Sequence, residues 1–283
     1  MSYITIHRGI AQLGKLDIFY RDTRNDAQPI LCLHGRWGRG ETWIDFMRHY
    51  GENYRVVAPD LRGHGLSSKP ISKYTAEEMS KDMIDLLDYL HIDSVILAGH
   101  SMGGHIAGHL TATYPEYVKA LAILDKSASG PEKQSELSLE ELEIIDPVTE
   151  HWPLPFSSLT EAQETIRREM DSDLSYEYFM NSLVETADGY VMMFSTQAIA
   201  ANIAFYSSWY SLLPDIKCPV LLVRAKGNSA VSDTDFEKMK TMISNCTAHE
   251  MSNPDHNVHL ANKNEFYKYF DEFLEKAMSN NGI

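Results

Sequence analysis

The sequence predicts an α/β fold in which helices flank a mostly parallel sheet, and three observations lead to this prediction. Short β-branched apolar runs alternate with longer segments of helical apolar spacing through residues 1–126. The same alternation resumes over residues 215–283. Residues 127–214, in contrast, contain no convincing buried strand and are predicted to form helices. Because alternating strands and helices form βαβ units with right-handed crossovers, we expect an α/β core from residues 1–126 and 215–283, with residues 127–214 inserted as a helical cap.

The core elements follow from the apolar periodicity in chain order. Strands are predicted at residues 3–8, 16–20, 30–33, 54–58, 95–98 and 120–124. Helices between these strands are predicted at residues 42–50, 75–90 and 102–114. Thr75 and Glu78 form a capping box that marks the start of the second helix. After the cap, the pattern predicts strands at 219–223 and 248–251 and helices at 234–243 and 263–278.

The cap is predicted to consist of helices. The candidate helices are residues 137–145, 161–170, 175–186 and 190–204. Prolines between and beside them end the helical pattern, because proline lacks a backbone N–H group and clashes with the preceding turn.

Composition and charge exclude several classes of protein. Of the 283 residues, 43% are hydrophobic and 23% are charged, which is typical of a globular domain rather than a disordered or fibrous chain. The formal net charge of −15 disfavours nucleic acid and anionic membrane surfaces, which are bound through excess Lys and Arg. No apolar run approaches the ~20 residues of a membrane span, and no signal peptide is recognised, so a cytoplasmic location is expected. Cys32, Cys218 and Cys246 are too widely spaced to predict disulfides or a zinc site.

The strongest functional signal is a G-x-S-x-G motif at a strand–helix junction. Residues 99–103 read Gly-His-Ser-Met-Gly and lie between the strand predicted at 95–98 and the helix that follows. A sharp turn of this kind exposes the serine hydroxyl, and the flanking glycines remove side chains that would collide in it. The serine also lies at a helix N-terminus, where free N–H groups favour negative charge. Ser101 is therefore the candidate nucleophile.

Three further segments occur at positions typical of one large family. They are residues 33–38 (Leu-His-Gly-Arg-Trp-Gly), residues 60–67 (Asp-Leu-Arg-Gly-His-Gly-Leu-Ser) and residues 255–260 (Asp-His-Asn-Val-His-Leu). Together with the serine motif, they make the sequence resemble the α/β-hydrolase superfamily, and in particular its cap-bearing, esterase-like serine hydrolases. The resemblance implies an eight-stranded, mostly parallel sheet with a helical cap, and it implies neither a metal nor a cofactor.

The resemblance also implies roles for particular residues. The backbone N–H groups of Arg36 and Met102 would form an oxyanion hole, and His256 would be the general base. His259 is the alternative base, because two imidazoles three residues apart in a loop cannot both point the same way. The spacing of these two histidines also fits a metal site, but neither has a carboxylate or cysteine partner placed beside it.

The sequence offers more than one candidate for the third member of a catalytic triad. The loop after the strand at 219–223 usually holds an aspartate in this family, but here no carboxylate occurs before Asp233, and Asn228 stands near the expected place. Asp125, which follows the strand at 120–124, is the favoured candidate, because some members carry their acid there. Asp233, Asp235 and Asn228 remain alternatives.

The cap is expected to cover the carboxyl edge of the sheet and to shape the substrate site. Trp37, Trp152 and Trp209 are the candidate substrate-binding residues, although many cap aromatics should pack into the cap's own core. Basic residues in the cap are few, with Arg167 and Arg168 adjacent on one helix. Uncharged apolar esters are therefore expected to be preferred over anionic ones, which usually require a bidentate arginine.

These inferences predict a serine hydrolase that cleaves a carboxylic ester or lactone of a small, largely apolar molecule through an acyl-enzyme. Other functions remain open. The same scaffold supports C–C bond hydrolysis of ketoacids and perhydrolysis, and a small-molecule sensor could keep the pocket without efficient turnover. The expected partner is a small-molecule substrate, bound by a monomer or a homodimer.

Overall fold

An extended sheet lies at the centre of the computed structural model, which describes residues 4–227 and 230–279. The strands of these residues are β1 (His7–Leu13), β2 (Leu16–Asp22), β3 (Pro29–Leu33), β4 (Arg55–Pro59), β5 (Val95–His100), β6 (Val118–Leu124), β7 (Leu183–Thr186), β8 (Gly189–Met192), β9 (Val220–Ala225) and β10 (Cys246–Met251). Eight of them form the main sheet in the order β1-β2-β4-β3-β5-β6-β9-β10. Strand β2 pairs antiparallel with β1 and β4, and every other neighbouring pair is parallel. The predicted eight-stranded, mostly parallel sheet is confirmed.

The described residues form nine α-helices. They are α1 (Ile44–Tyr50), α2 (Ala76–Tyr89), α3 (Met102–Thr113), α4 (Leu159–Glu169), α5 (Asp173–Met180), α6 (Thr196–Ala204), α7 (Asp233–Met242), α8 (Val258–Ala261) and α9 (Lys263–Ser279). The predicted capping box begins α2, with the Thr75 side chain accepting from the Glu78 N–H group and the Glu78 carboxylate accepting in return. In the described ranges, no helix has the length and apolar character needed to cross a membrane.

The two faces of the sheet bury two separate cores. In β3, Leu31 and Leu33 point to the face covered by α2 and α3, whereas Ile30 and Cys32 point to the face covered by α1 and α9. This separation follows from the alternation of side chains along a strand. Because both faces are covered, the central strands have continuous apolar sequences instead of alternating ones. Strand β5 is accordingly buried at every position.

The segment between β6 and β9 forms a cap with its own small core. It contains α4, α5 and α6 and a two-stranded sheet of β7 and β8. Its buried apolar residues are Trp152, Phe156, Ala162, Ile166, Tyr178, Phe179, Met192, Phe194 and Ile199. Trp37 and Leu260 of the main domain pack against this cluster, so the cap core is continuous with the walls of the cleft beneath it.

The cap is not wholly helical, and this corrects two of the predicted helices. Strand β7 lies within the helix predicted at 175–186, and β8 overlaps the start of the helix predicted at 190–204. A two-residue turn at Ala187 and Asp188 explains the difference, and Gly189, which follows it, has a φ of 125° that a helix does not accommodate. The predicted helix at 137–145 is also absent from the structure, where Leu137, Ile144 and Ile145 are exposed.

Candidate active site

Ser101 stands on the tight turn between β5 and α3. Its backbone has φ 52° and ψ −117°, a conformation that costs energy for a residue with a side chain. A Cβ atom on Gly99 would collide with the Gly103 carbonyl group, and one on Gly103 would collide with the Leu33 carbonyl group. Only glycine therefore fits on either side of the serine, and the motif is explained by this crowding.

Asp125 lies immediately after β6, beside the serine turn. Its carboxylate is buried, and its Oδ2 accepts a hydrogen bond from His256 Nδ1 at 2.6 Å. Oδ1 accepts from the Ala225 N–H group at 2.9 Å, and the Asp125 N–H group donates to the Val223 carbonyl at 2.7 Å. Because Nδ1 donates to the carboxylate, Nε2 of His256 is the nitrogen that can accept a proton.

The alternative acids are placed elsewhere. The Asp233 carboxylate is exposed and pairs with Arg224 at 2.6 Å, while Asp235 accepts from the Tyr210 hydroxyl at 2.5 Å. Neither carboxylate is bonded to His256. Asn228 lies outside the described residues.

His256 is held by contacts on both sides of its loop. Its backbone carbonyl accepts from His100 Nε2 at 2.8 Å, which ties the loop to the residue preceding Ser101. Asp255 accepts from the Asn257 N–H group at 2.8 Å and from the Ser172 hydroxyl of the cap at 2.8 Å. The histidine is therefore positioned by the core and by the cap together.

His259 has a different environment from His256. Its ring is buried and stacked on Trp43, with the ring centroids 4.4 Å apart, and neither ring nitrogen has a hydrogen-bond partner in the described ranges. Burial lowers the pKa of His259 to about 3, so the ring is neutral at physiological pH. The structure therefore brings His256, and not His259, to Asp125. Across the residues described, no group of three or more His, Cys, Asp or Glu side chains could hold a metal ion.

The loop after β3 brings the expected oxyanion-hole residue next to the nucleophile. A Cβ atom on Gly35 would lie 3.2 Å from Ser101 Cβ, and Arg36 follows directly. Met102 is the first residue of α3, at the N-terminal end where helical N–H groups have no partner within the helix. Arg36 thus lines the same cavity as Ser101, and Met102 follows Ser101 directly.

A cavity of about 110 Å³ opens at Ser101. It is lined by Gly35, Arg36, Trp37, His100, Ser101, Ser175, Tyr178, Phe179, His256 and Asn257. Sequence reasoning did not single out Tyr178 and Phe179 from the other cap aromatics, and only their place on α5 distinguishes them. The Tyr178 hydroxyl is buried close to Gly35 and Gly38, where any larger residue at position 38 would collide with it.

Comparison with known proteins agrees with this architecture. Residues 28–263 match the family described as the alpha/beta hydrolase fold. The chain belongs to this family. The human serine hydrolase BPHL is 28% identical over 267 residues, which cover 92% of this chain and 84% of that protein. A Haemophilus influenzae protein with a provisional esterase/lipase name is 25% identical over 260 residues, covering 91% of this chain and 87% of its relative. The solved structure of E-2-(acetamidomethylene)succinate hydrolase superposes with a TM-score of 0.82 at 20% identity, covering 96% of this chain and 100% of that one.

Two of the three tryptophans expected to bind substrate lie elsewhere in this α/β hydrolase. Trp37 lines the cavity, and its indole Nε1 donates to the Asp146 carboxylate at 3.1 and 3.2 Å. Trp152 packs inside the cap core against Phe179, and Trp209 is buried in the main core with its Nε1 donating to the Ser127 carbonyl at 3.2 Å. Neither Trp152 nor Trp209 is among the residues that line the cavity at Ser101. Both fill interior space that a large aromatic side chain suits.

Proposed function

We propose that this α/β hydrolase cleaves a carboxylic ester or lactone of a small molecule through an acyl-enzyme on Ser101. The observation that carries the proposal is the 2.6 Å hydrogen bond from His256 Nδ1 to the buried Asp125 carboxylate, made at the same cavity that Ser101 lines. A strained serine, an oriented imidazole and a buried carboxylate are the arrangement that activates a hydroxyl nucleophile.

In the proposed reaction, Ser101 Oγ attacks the substrate carbonyl carbon while His256 Nε2 takes the hydroxyl proton. The imidazolium formed in this step is stabilised by Asp125, which already accepts from Nδ1. The carbonyl oxygen becomes negatively charged and receives hydrogen bonds from the backbone N–H groups of Arg36 and Met102. Loss of one such donor typically costs about 2.7–4 kcal/mol of transition-state stabilisation.

Collapse of the tetrahedral intermediate expels the alcohol, which takes the proton from His256. Water then attacks the acyl-enzyme by the same route, with His256 as base, and releases the carboxylic acid and the serine hydroxyl. A serine nucleophile favours acyl transfer over epoxide or haloalkane opening, which needs a carboxylate nucleophile and an alkyl-enzyme ester. The human relative named a serine hydrolase and the Haemophilus influenzae relative with an esterase/lipase name support this chemistry.

The test is labelling of the nucleophile combined with turnover. We expect a fluorophosphonate probe to modify Ser101 and p-nitrophenyl esters to be hydrolysed over many turnovers. Ser101→Ala should abolish both, while Ser138→Ala, at an exposed cap position, should change neither. A single burst of product, or silence with every ester and lactone tried, would instead support a sensor. Labelling that persists in Ser101→Ala would remove the assignment.

A further inference from the structure

We propose that the substrate of this α/β hydrolase carries a free carboxylate, which binds to the guanidinium of Arg36 with the ammonium of Lys126 nearby. The inference rests on the proposed ester or lactone hydrolysis and names its substrate class. It also reverses the preference for uncharged esters that the composition of the cap led us to expect.

Arg36 is the cationic side chain at the cavity. Its Nε and Nη2 atoms donate to Asn202 Oδ1 at 3.3 and 3.0 Å, and its Cζ lies 5.5 Å from the centre of the Trp37 ring. Asn202 is itself buried and fixed, because its Nδ2 donates to the Tyr74 carbonyl at 3.0 Å. A neutral amide therefore orients one edge of the guanidinium. In the described ranges Nη1 makes no hydrogen bond, so the other edge keeps the donors that a carboxylate accepts.

Lys126 is a second basic group, and its charge interacts with that of Arg36. It follows Asp125 directly, and its Cβ packs beside Gly104 at the start of α3. Its Nζ lies 4.2 Å from the centre of the Tyr206 ring, and in the part of the chain that the structure describes it has no hydrogen-bond or ion-pair partner. Burial, with a further contribution from the charge of Arg36, lowers the pKa of Lys126 to about 7.

In the described ranges, neither Arg36 nor Lys126 forms an ion pair with a carboxylate of the protein. Asp146 is the acidic residue whose charge acts on Arg36, but both of its oxygens are already occupied. They accept from the Trp37 indole, the Val148 N–H group and the Thr149 hydroxyl. Both side chains are partly buried, and a basic group that is removed from water without an ion pair is unfavourable, so an anion from outside lowers that cost. The formal net charge of the chain is −15, so this local positive charge is opposite in sign to that of the protein as a whole.

The cap arginines do not offer a competing site. Arg167 pairs with Asp173 and Arg168 pairs with Glu169, and both arginine side chains are more than half exposed. Neither belongs to the residues that line the cavity, whereas Arg36 does. Recognition of an anionic substrate therefore falls to Arg36, with Lys126 as the other basic group whose charge acts on it.

The experiment compares two esters that differ only in charge. Mono-p-nitrophenyl succinate carries a free carboxylate, and its methyl ester is the neutral control with the same scissile bond. We expect wild type to show a kcat/KM at least tenfold higher for the acid. Arg36→Met should reduce this ratio to near one, and Lys126→Met should reduce it several-fold. Arg168→Gln, which changes an exposed arginine, should leave the ratio as in wild type.

A second measurement separates this inference from the proposed reaction. Binding of both esters to Ser101→Ala is measured by calorimetry, which requires no turnover. Tighter binding of the acid than of its methyl ester, with a preference reduced several-fold in Ser101→Ala/Lys126→Met, supports the carboxylate site even if hydrolysis fails. Equal binding of the two esters, or a ratio that neither Arg36→Met nor Lys126→Met alters, would overturn it. Arg36→Met leaves the buried Asn202 side-chain carbonyl without its donor and could misfold. Lys126→Met tests the same site without removing that hydrogen bond.

Discussion

At the scale of single residues, the site depends on two side chains held in unusual backbone conformations. Ser101 has φ 52° and Asp125 has φ 48°, a region that non-glycine residues rarely occupy. They follow the neighbouring strands β5 and β6, which pair in parallel, so both turns open on the same edge of the sheet. Strain of this kind persists where the surrounding structure imposes it, and here it accompanies the residues that we propose as nucleophile and acid.

The role of Asp125 is testable by removing its charge. Asp125→Asn should lower kcat by about 10⁴, as loss of the carboxylate does in a serine triad, because the imidazolium then lacks its counter-charge. Steady-state hydrolysis of a p-nitrophenyl ester, with circular dichroism to check folding, measures the effect. Asp233→Asn and Asp235→Asn are the matched controls and should stay within a few-fold of wild type. If Asp233→Asn were the inactive variant, the acid would lie after β9.

At the scale of elements, helix α5 connects the cap to the catalytic loop. Its inward side chains Ser175, Tyr178 and Phe179 form one wall of the cavity. Its first turn is capped by Ser172, whose hydroxyl accepts from the Ser175 N–H group at 3.0 Å and donates to Asp255 at 2.8 Å. Since Asp255 directly precedes His256, the same hydroxyl stabilises the helix and restrains the histidine loop.

Two serine caps allow these contributions to be separated. Ser158 caps α4 by the same kind of bond, accepting from the Glu161 N–H group at 3.1 Å, but it lies on the exposed side of the cap. Ser172→Ala and Ser158→Ala should each reduce the free energy of unfolding by about 1 kcal/mol. Only Ser172→Ala should also lower kcat/KM. Chemical denaturation and ester hydrolysis measure the two effects, and equal activity of the two variants would contradict the coupling.

At the scale of the whole molecule, buried histidines link stability to pH. Burial lowers the pKa of His34 to about 4, and that of His64 and His259 to about 3. His34 has a structural role, because its Nε2 accepts from the Leu61 N–H group at 2.9 Å and joins the loops after β3 and β4. In the unfolded chain these rings take up protons near pH 6.5, whereas in the folded protein they stay neutral to a lower pH. Between these values the unfolded state binds more protons, so stability is lost as pH falls below about 6.5.

The contribution of His259 to this pH dependence of stability can be measured separately. A single histidine of this kind lowers the free energy of unfolding by about 2 kcal/mol between pH 7 and pH 5. His259→Phe keeps the stacking on Trp43 and removes the titration, so its melting temperature should fall less between these pH values than that of wild type. His151→Gln, at an exposed position, should fall as wild type does. An unchanged slope in His259→Phe would show that this ring is not neutral and buried in solution.

The sequence by itself determined the core of this protein. Local periodicity is sufficient for the central strands because burial on both faces requires continuous apolar runs, as in β5. The turn at Ser101 was equally predictable, since the crowding that requires Gly99 and Gly103 acts over a few residues. In the cap, the same reasoning missed the β7–β8 hairpin. The apolar spacing of such short segments fits a helix as well as a strand, so periodicity could not separate the two.

Only the tertiary structure decided which side chains meet at the site. Asp125 and His256 are 131 positions apart, and Arg36 is 166 positions from Asn202. Several aspartates were compatible with the sequence, and the choice between them depends on which strand end lies beside the last loop. The same reason separates Trp37, which lines the cavity, from Trp152 and Trp209, which fill cores. Packing across the sheet and under the cap sets these contacts. A pattern of residues along the chain does not show how far apart two side chains lie in space.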